Sequence, residues 1–237
     1  MTRIYIEDTI VSPATALGQA GVGIVRVSGK KCLEIGLALC QKKGLVNRCA
    51  HFAKFFDLHN ELIDFGIVIY FQSPASFTGE DVLEIHCHGS PVIIDLIVQR
   101  CLQLGARAAR AGEFTERAFF NEKIDLAQAE SIADLIASQT KQAAKSAMNS
   151  LQGVFSDEIK KISAKIIYLR TYTEAAIDFS DEEIDFLKES ILEKTLKEII
   201  EDVYLLLKKS EQGLLLREGI SIVLAGKPNA GKSSLMN

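Results

Sequence analysis

The sequence lacks the features that mark several large classes of protein. It contains only four prolines and no run approaching about 18 consecutive apolar residues, so it predicts no transmembrane helix. The N-terminal segment carries charges at Arg3, Glu7 and Asp8 and has no central apolar stretch, which argues against a secretory signal. Its five cysteines form no C-x-x-C pair, so a disulfide framework is not expected and a reducing, cytoplasmic location is favoured.

An excess of positive charge is also absent. The 27 Lys and Arg residues stand against 31 Asp and Glu, giving a formal net charge of -4. The chain as a whole therefore does not attract nucleic acid or anionic membrane, and any polyanion must be bound by a local basic patch or a phosphate-binding loop. With 48% apolar residues among 237, the composition is that of a globular protein with room for about two domains.

The N-terminal half has the pattern of a mixed domain. Short apolar runs with β-branched residues predict strands over residues 23–27, 65–71 and 82–86. Ser90 followed by Pro91 predicts the start of a helix that ends at Gly105. Because strands and helices interleave, we expect an α+β domain with helices packed on a sheet.

The C-terminal half changes character near residue 125, where apolar residues begin to recur three and four positions apart. This spacing predicts three long amphipathic helices that form an all-α bundle. We expect Gly153 to separate the first helix from the second, and the acidic segment 178–183 to begin the third, since Ser180 and Glu183 have capping-box spacing. Residues 220–225 predict a short buried strand that runs into glycine.

Residues 226–233, GKPNAGKS, fit the phosphate-loop pattern G-x-x-x-x-G-K-[ST] at every fixed position. The backbone N–H groups of such a loop surround the phosphates, its lysine reaches the β- and γ-phosphates, and its serine hydroxyl binds Mg²⁺. A glycine-rich turn without function is the plainer alternative, but the preceding strand and the following helix start favour the phosphate loop. Hydrolysis also requires elements that normally follow this loop, so we expect the 237 residues alone not to turn over nucleotide.

Six collinear segments carry a more specific signal and span almost the whole chain. They are GVGIVRVSG (21–29), SFTGEDVLEIHCHG (76–89), GEFTERAFFNEKIDLAQAESIADLI (112–136), NSLQG (149–153), EAAIDFSDEEIDF (174–186) and LREGISIVLAGKPNAGKSSLMN (216–237). Together they resemble the bacterial and organellar tRNA modification GTPase family MnmE, also called TrmE. One departure is Ala111, which stands where the family usually has proline.

The resemblance implies three parts and an activity. Residues 1–122 would form a tetrahydrofolate-binding α+β domain that also makes the homodimer, residues 123–215 a central helical domain, and residues 216–237 the first strand and phosphate loop of a Ras-like α/β GTPase domain. The family acts with an FAD-dependent flavoprotein partner, MnmG (GidA). Together they add a carboxymethylaminomethyl-type group to carbon 5 of the wobble uridine in certain tRNAs, using a tetrahydrofolate one-carbon unit and potassium-stimulated GTP hydrolysis.

Matching the family motifs residue by residue implies a folate site at Arg26, Glu84 and Lys123. A carboxylate suits the adjacent N–H donors on the pterin edge of a folate, and Arg or Lys suits the carboxylates of its glutamate tail. The sequence does not determine which of these three residues contacts which end of the folate.

The GTP site implied by the same match lies in the phosphate loop. Ser233 would ligate magnesium and Asn229 would ligate potassium, while the catalytic residues have no counterpart within the 237 positions. The residues implied to contact GTP are Asn229, Ala230, Gly231, Lys232, Ser233 and Ser234.

Other interpretations compete at several positions. His86 and His88 alternate along a strand and could meet a zinc ion, and Cys87 could be a nucleophile, although a pocket-lining or buried role is the plainer interpretation of both. The acidic cluster 178–185 could bind a cation or simply begin a helix. Helix lysines could contact tRNA or simply be exposed: Lys141, Lys145, Lys160, Lys161 and Lys165.

Two classes of function remain open from the sequence. One is the tRNA-modifying GTPase, and the other is a folate-binding and dimerising module without catalysis. A stand-alone P-loop ATPase is disfavoured because no Walker B element follows the loop.

Overall fold

The computed structural model describes residues 8–16, 18–178, 189–218, 225–226 and 234. Its internal contacts divide the chain into an N-terminal unit, Met1–Asp125, and a helical unit, Leu126–Asn237. The first contains a sheet with helices and the second contains helices, which confirms the α+β class with a following helical region.

A six-stranded sheet organises the described part of the N-terminal unit, in the order β3-β4-β5-β2-β1-β6. The neighbouring strands are antiparallel except β1 and β6, which are parallel. The three predicted strands are confirmed within β2, β4 and β5. The bounds are β1 Ile10–Pro13, β2 Ala20–Ser28, β3 Ala50–Phe56, β4 Leu62–Phe71, β5 Val82–Gly89 and β6 Arg107–Ala108.

Three helices accompany this sheet: α1 Cys32–Cys40, α2 Pro91–Gln103 and α3 Glu113–Phe120. The helix predicted from Ser90-Pro91 is confirmed as α2, with Pro91 in its first turn. Helices α1 and α2 pack on one face of the sheet, where Ile35 and Ile97 join Val25 and Leu83 in a single buried core. Because side chains alternate along a strand, the residues between these core positions lie on the opposite face.

A buried ion network fixes α3 to the sheet. Glu113, in the first turn of α3, has a side chain only 1% exposed and receives hydrogen bonds from Arg107 on β6 and from Arg117, one turn further along α3. Arg117 is 5% exposed and also binds Asp8 at 2.6 Å and Glu80 at 3.0 Å. The network therefore joins α3 to β6, to the start of β1 and to the loop of residues 72–81.

The helical unit contains α4 Leu126–Ala137, α5 Lys141–Leu151, α6 Val154–Asp178 and α7 Glu189–Glu218. The prediction of a single helix before Gly153 was wrong, because Thr140 caps a separate helix by accepting a hydrogen bond from the Ala143 N–H at 3.1 Å. Gly153, with φ of +87°, does separate α5 from α6 as predicted. The predicted helix start at 178–183 lies outside the described residues except for Asp178, and the predicted strand at 220–225 lies outside them except for Ala225.

None of the helices in the described ranges is long and apolar enough to cross a membrane.

The five cysteines are all free thiols, and four of them are buried while Cys49 is exposed. Burial raises the pKa of Cys40 and Cys101 to about 12, that of Cys87 to about 11, and also that of Cys32. Because the thiolate is the reactive form, the four buried cysteines are expected to be inert in the folded chain.

We predict that Glu113→Gln destabilises the protein by about 3–5 kcal/mol at neutral pH, because it removes the buried negative charge that Arg107 and Arg117 share and leaves them only the more exposed carboxylates of Asp8 and Glu80. Hydrogen bonding from Arg107 is the largest cause that lowers the pKa of Glu113 from 4.5 to about 2. The carboxylate therefore stabilises the fold fully above pH 4.5, and this contribution is lost as the pH falls towards 2. Urea unfolding of both proteins across this pH range measures the effect, and the difference between them should shrink as the solution becomes more acidic.

The matched control is Glu116→Gln on the same helix. Glu116 pairs with Arg110 at 2.9 Å, but the two side chains are 40% and 61% exposed. We expect this change to cost less than about 1 kcal/mol, as exposed ion pairs do. Equal losses in the two variants would show that the buried network has no special role.

We also predict that one thiol of the native chain reacts rapidly with Ellman's reagent near pH 8, whereas five react after unfolding in denaturant. Cys49→Ser should remove the rapid phase and leave the total after unfolding one lower. Rapid reaction of two or more native thiols would contradict the burial described above.

Candidate functional site

The two central strands bring Arg26 and Glu84 into direct contact. They are partners in the antiparallel register of β2 and β5, on the sheet face opposite α1 and α2. The Arg26 Nη2 and Nε donate to Glu84 Oε1 at 2.7 and 3.0 Å, and the two side chains are 31% and 19% exposed. The result is a half-buried, charge-neutral pair that a ligand can still reach.

Two phenylalanine rings lie beside this pair. The Arg26 Cζ is 5.8 Å from the ring centroid of Phe77 and 5.9 Å from that of Phe114, distances at which a cation attracts an aromatic face. Phe77 belongs to the loop of residues 72–81, and Phe114 belongs to α3. We call Arg26, Glu84, Phe77 and Phe114 the Arg26 cluster.

His86 extends the cluster along β5. Its Nε2 lies 3.5 Å from Glu84 Oε2, and this nitrogen is buried without a hydrogen-bond partner among the residues that the structure describes. Both hydrogen bonds from Arg26 go to Oε1 of Glu84. The second oxygen of Glu84 therefore keeps acceptor capacity for a further donor.

Lys123, the third predicted folate residue, is joined to this region through the 72–81 loop. Its ammonium donates to the carbonyl of Pro74 at 3.2 Å, and its stem lies against Gly79. Nearby, Asn121 Nδ2 donates to the Thr78 carbonyl at 2.7 Å. The same loop thus carries Phe77 and supports Lys123, whereas Arg26 and Glu84 touch each other directly.

Sequence reasoning missed the two rings and the proximity of His86 to Glu84. Phe77 and Phe114 lie in the segments SFTGED and GEFTER, which resemble the family. The resemblance therefore marked both segments as candidates for a functional role without marking the two rings themselves. Only the strand register and the placement of α3 show that both rings approach one arginine.

The His86-Cys87-His88 segment does not form a metal site within the described part of the chain. Nδ1 of His88 lies 2.8 Å from Asp64 Oδ1, and the backbone N–H of His88 donates to Oδ2 at 2.8 Å. Burial raises the pKa of Asp64, but these bonds and one from the Phe65 backbone outweigh it and lower the pKa overall. No group of three or more metal-ligating side chains is found among the described residues.

Cys87 itself faces the core, where its thiol donates to the Gly23 carbonyl at 3.4 Å. With its pKa raised to about 11 by burial, it is a packing residue and not a nucleophile.

Of the six residues predicted to contact GTP, Ser234 is described and exposed, whereas Asn229 to Ser233 lie outside the described residues. In the helical unit, several lysines considered for tRNA contact are in ion pairs. Lys161 binds Glu158 at 2.7 Å and Lys165 binds Asp202 at 2.6 Å, so carboxylates partly neutralise their charge.

Comparison with known proteins gives two family matches that together span most of the chain. The model described as "GTP-binding protein TrmE N-terminus" matches residues 9–123, and the model described as "MnmE helical domain" matches residues 126–233.

Curated proteins with the name tRNA modification GTPase MnmE are similar over nearly the full chain. The protein from Legionella pneumophila (strain Paris) is 53% identical over 230 residues, which are 97% of this chain and 52% of the relative. That from Pseudomonas aeruginosa (strain UCBPP-PA14) is 52% identical over 97% of this chain and 50% of the relative. The protein from Francisella tularensis subsp. holarctica (strain LVS) is 53% identical over 99% of this chain. The chain therefore spans about half the length of the curated relatives it matches.

Proposed function

Because the chain belongs to the MnmE (TrmE) family, we propose that its N-terminal unit binds a tetrahydrofolate derivative through Arg26, Glu84 and Lys123. The observation that carries the proposal is the contact between Arg26 and Glu84 on an accessible sheet face beside two aromatic rings. The chemistry fits a folate, which offers a flat ring with N–H donors and a tail with carboxylates.

We further propose that the protein takes part in tRNA modification as a GTPase. In this proposal it acts in the cytoplasm with the FAD-dependent MnmG (GidA) partner, on carbon 5 of the wobble uridine of certain tRNAs. Residues 229–234, in and directly after the phosphate loop, bind GTP, with Ser233 as magnesium ligand and Asn229 as potassium ligand. This part of the proposal rests on the sequence pattern and on the family.

For the 237 residues by themselves, the favoured function is a folate-binding and dimerising module that does not hydrolyse GTP. The residues of the proposed folate site all fall within the Met1–Asp125 unit. The sequence itself contains no guanine-reading Asn-Lys-x-Asp segment.

We predict that 5-formyltetrahydrofolate binds the chain in isothermal titration and that Arg26→Ala or Glu84→Ala weakens binding at least about 30-fold, because each change leaves a charged partner unpaired. The control pair is Arg110→Ala and Glu116→Ala, which removes an exposed ion pair of the same unit and should leave affinity unchanged. Unchanged binding in both Arg26 and Glu84 variants would refute the folate assignment.

The homodimer through the N-terminal unit is proposed on the strength of the family. Light scattering during size exclusion should give twice the 26.0 kDa mass of one chain. A mass of one chain at high protein concentration would overturn this proposal and leave the folate proposal standing.

A further inference from the structure

His86 has a buried ring nitrogen that lacks a hydrogen bond. Its Nε2 has no partner among the residues that the structure describes, although the side chain as a whole is 27% exposed. A buried polar atom without a partner is destabilising, so such an atom in a folded protein calls for an explanation. The neighbour that can supply one is Glu84, whose Oε2 lies 3.5 Å from this nitrogen.

Glu84 uses its two carboxylate oxygens differently. Oε1 accepts both hydrogen bonds from Arg26, at 2.7 and 3.0 Å. Oε2 keeps acceptor capacity, and at 3.5 Å from His86 it is at the long limit for a hydrogen bond with an imidazole. The oxygen that points away from Arg26 is therefore the one that a ligand and His86 would both use.

The charge of His86 decides what Oε2 can still accept. While the imidazole is neutral, Arg26 and Glu84 cancel and the cluster carries no net charge. A protonated imidazole carries an N–H on both nitrogens and attracts the carboxylate, so we expect a charge-assisted hydrogen bond to Oε2 after a small movement of the ring. Protonation would therefore occupy the acceptor that the neutral cluster keeps available.

The surroundings of His86 make Glu84 the carboxylate that it would meet. Its register partners are apolar, Ile24 on β2 and Ile67 on β4. The carboxylate of Asp64 is already engaged by His88, through two contacts of 2.8 Å. The charged and titratable groups that the described strands place around His86 are Glu84 and His88 from β5, Arg26 from β2, Asp64 from β4 and, one strand further away, Lys54 from β3.

We propose that His86 is a positioning residue for the folate site. When it is neutral it leaves Oε2 of Glu84 available to an N–H donor of the ligand, and when it is protonated it binds this oxygen itself and lowers the affinity. Histidine side chains change charge between about pH 5 and pH 8, so the exchange falls within ordinary solution conditions. This inference rests on the folate site proposed above.

The experiment measures the binding of 5-formyltetrahydrofolate to the full chain by titration calorimetry at about pH 5.5 and about pH 7.5. The carboxylates of the ligand are largely ionised at both values. One competing proton changes an affinity by at most about tenfold per pH unit, so the wild-type chain should bind about 3- to 10-fold more weakly at the lower pH. His86→Gln and His86→Phe take up no proton in this range and should bind with nearly equal affinity at the two values.

The matched control is His88→Gln. His88 lies two residues further along the same strand, and its Nδ1 contacts Asp64 at 2.8 Å. This variant should keep the pH dependence of the wild-type chain. Thermal unfolding of every variant at both pH values identifies any loss of affinity that comes from misfolding.

NMR of the imidazole rings gives a second readout that a purely structural role of His86 would not change. The chain has four histidines, so single variants assign each signal. Because ligand and proton compete for the same oxygen, bound ligand should move the titration of His86 to lower pH and leave that of His88 in place.

The outcomes separate this inference from the proposal beneath it. If the wild-type chain binds no folate at either pH, the proposed function itself fails. If it binds equally well at both values, or if the pH dependence persists in both His86 variants, the role of His86 is wrong and the folate site stands. An affinity that rises towards low pH through His86 would also overturn the inference, because protonated His86 would then attract the ligand instead of competing with it.

Discussion

A buried carboxylate is destabilising unless hydrogen-bond donors are placed around it, and the donors to Glu113 include the side chains of two arginines. Arg107 comes from β6 and Arg117 from α3 itself, and Arg117 continues to Glu80 in the 72–81 loop. The two segments that carry the aromatic rings are thus held by one set of buried charges. The position of the rings beside Arg26 depends on a network that contacts no proposed ligand.

The second constraint is the alternation of side chains along the central strands. Leu83 and Ile85 of β5 face the helices and are buried, whereas Glu84 and His86 face the other way and keep partial exposure. One strand therefore supplies both the core and the candidate site. A shift of register by a single residue would exchange the two sets, so the well-packed helical face also fixes the Arg26 cluster.

Local sequence patterns were sufficient to predict most of the helices and strands but not the geometry of the candidate site. The strands at 23–27, 65–71 and 82–86 and the helix after Ser90 were predictable because periodicity and capping act over a few residues. The break at Thr140 was not predicted, although the large apolar residues of the first stripe end at Ile136 and threonine is a favoured N-cap residue. The family resemblance named Arg26 and Glu84, but their contact across 58 residues depends on the strand register, which no local pattern contains.

The ion pairs of α3 also limit how early the N-terminal unit can complete its fold during synthesis. The hydrogen bond between Arg117 and Asp8 joins residues 109 positions apart, so it closes the N-terminal unit near its two ends. On a ribosome, the ion pairs that Glu113 and Arg117 make cannot form until α3 has left the exit tunnel, whereas the hydrogen bond from Ser28 to Glu80 involves residues made earlier. Nearly all of the first 125 residues therefore have to be made before this unit can complete its fold. Its folding is expected to be cooperative and to finish only when synthesis of the unit is almost complete.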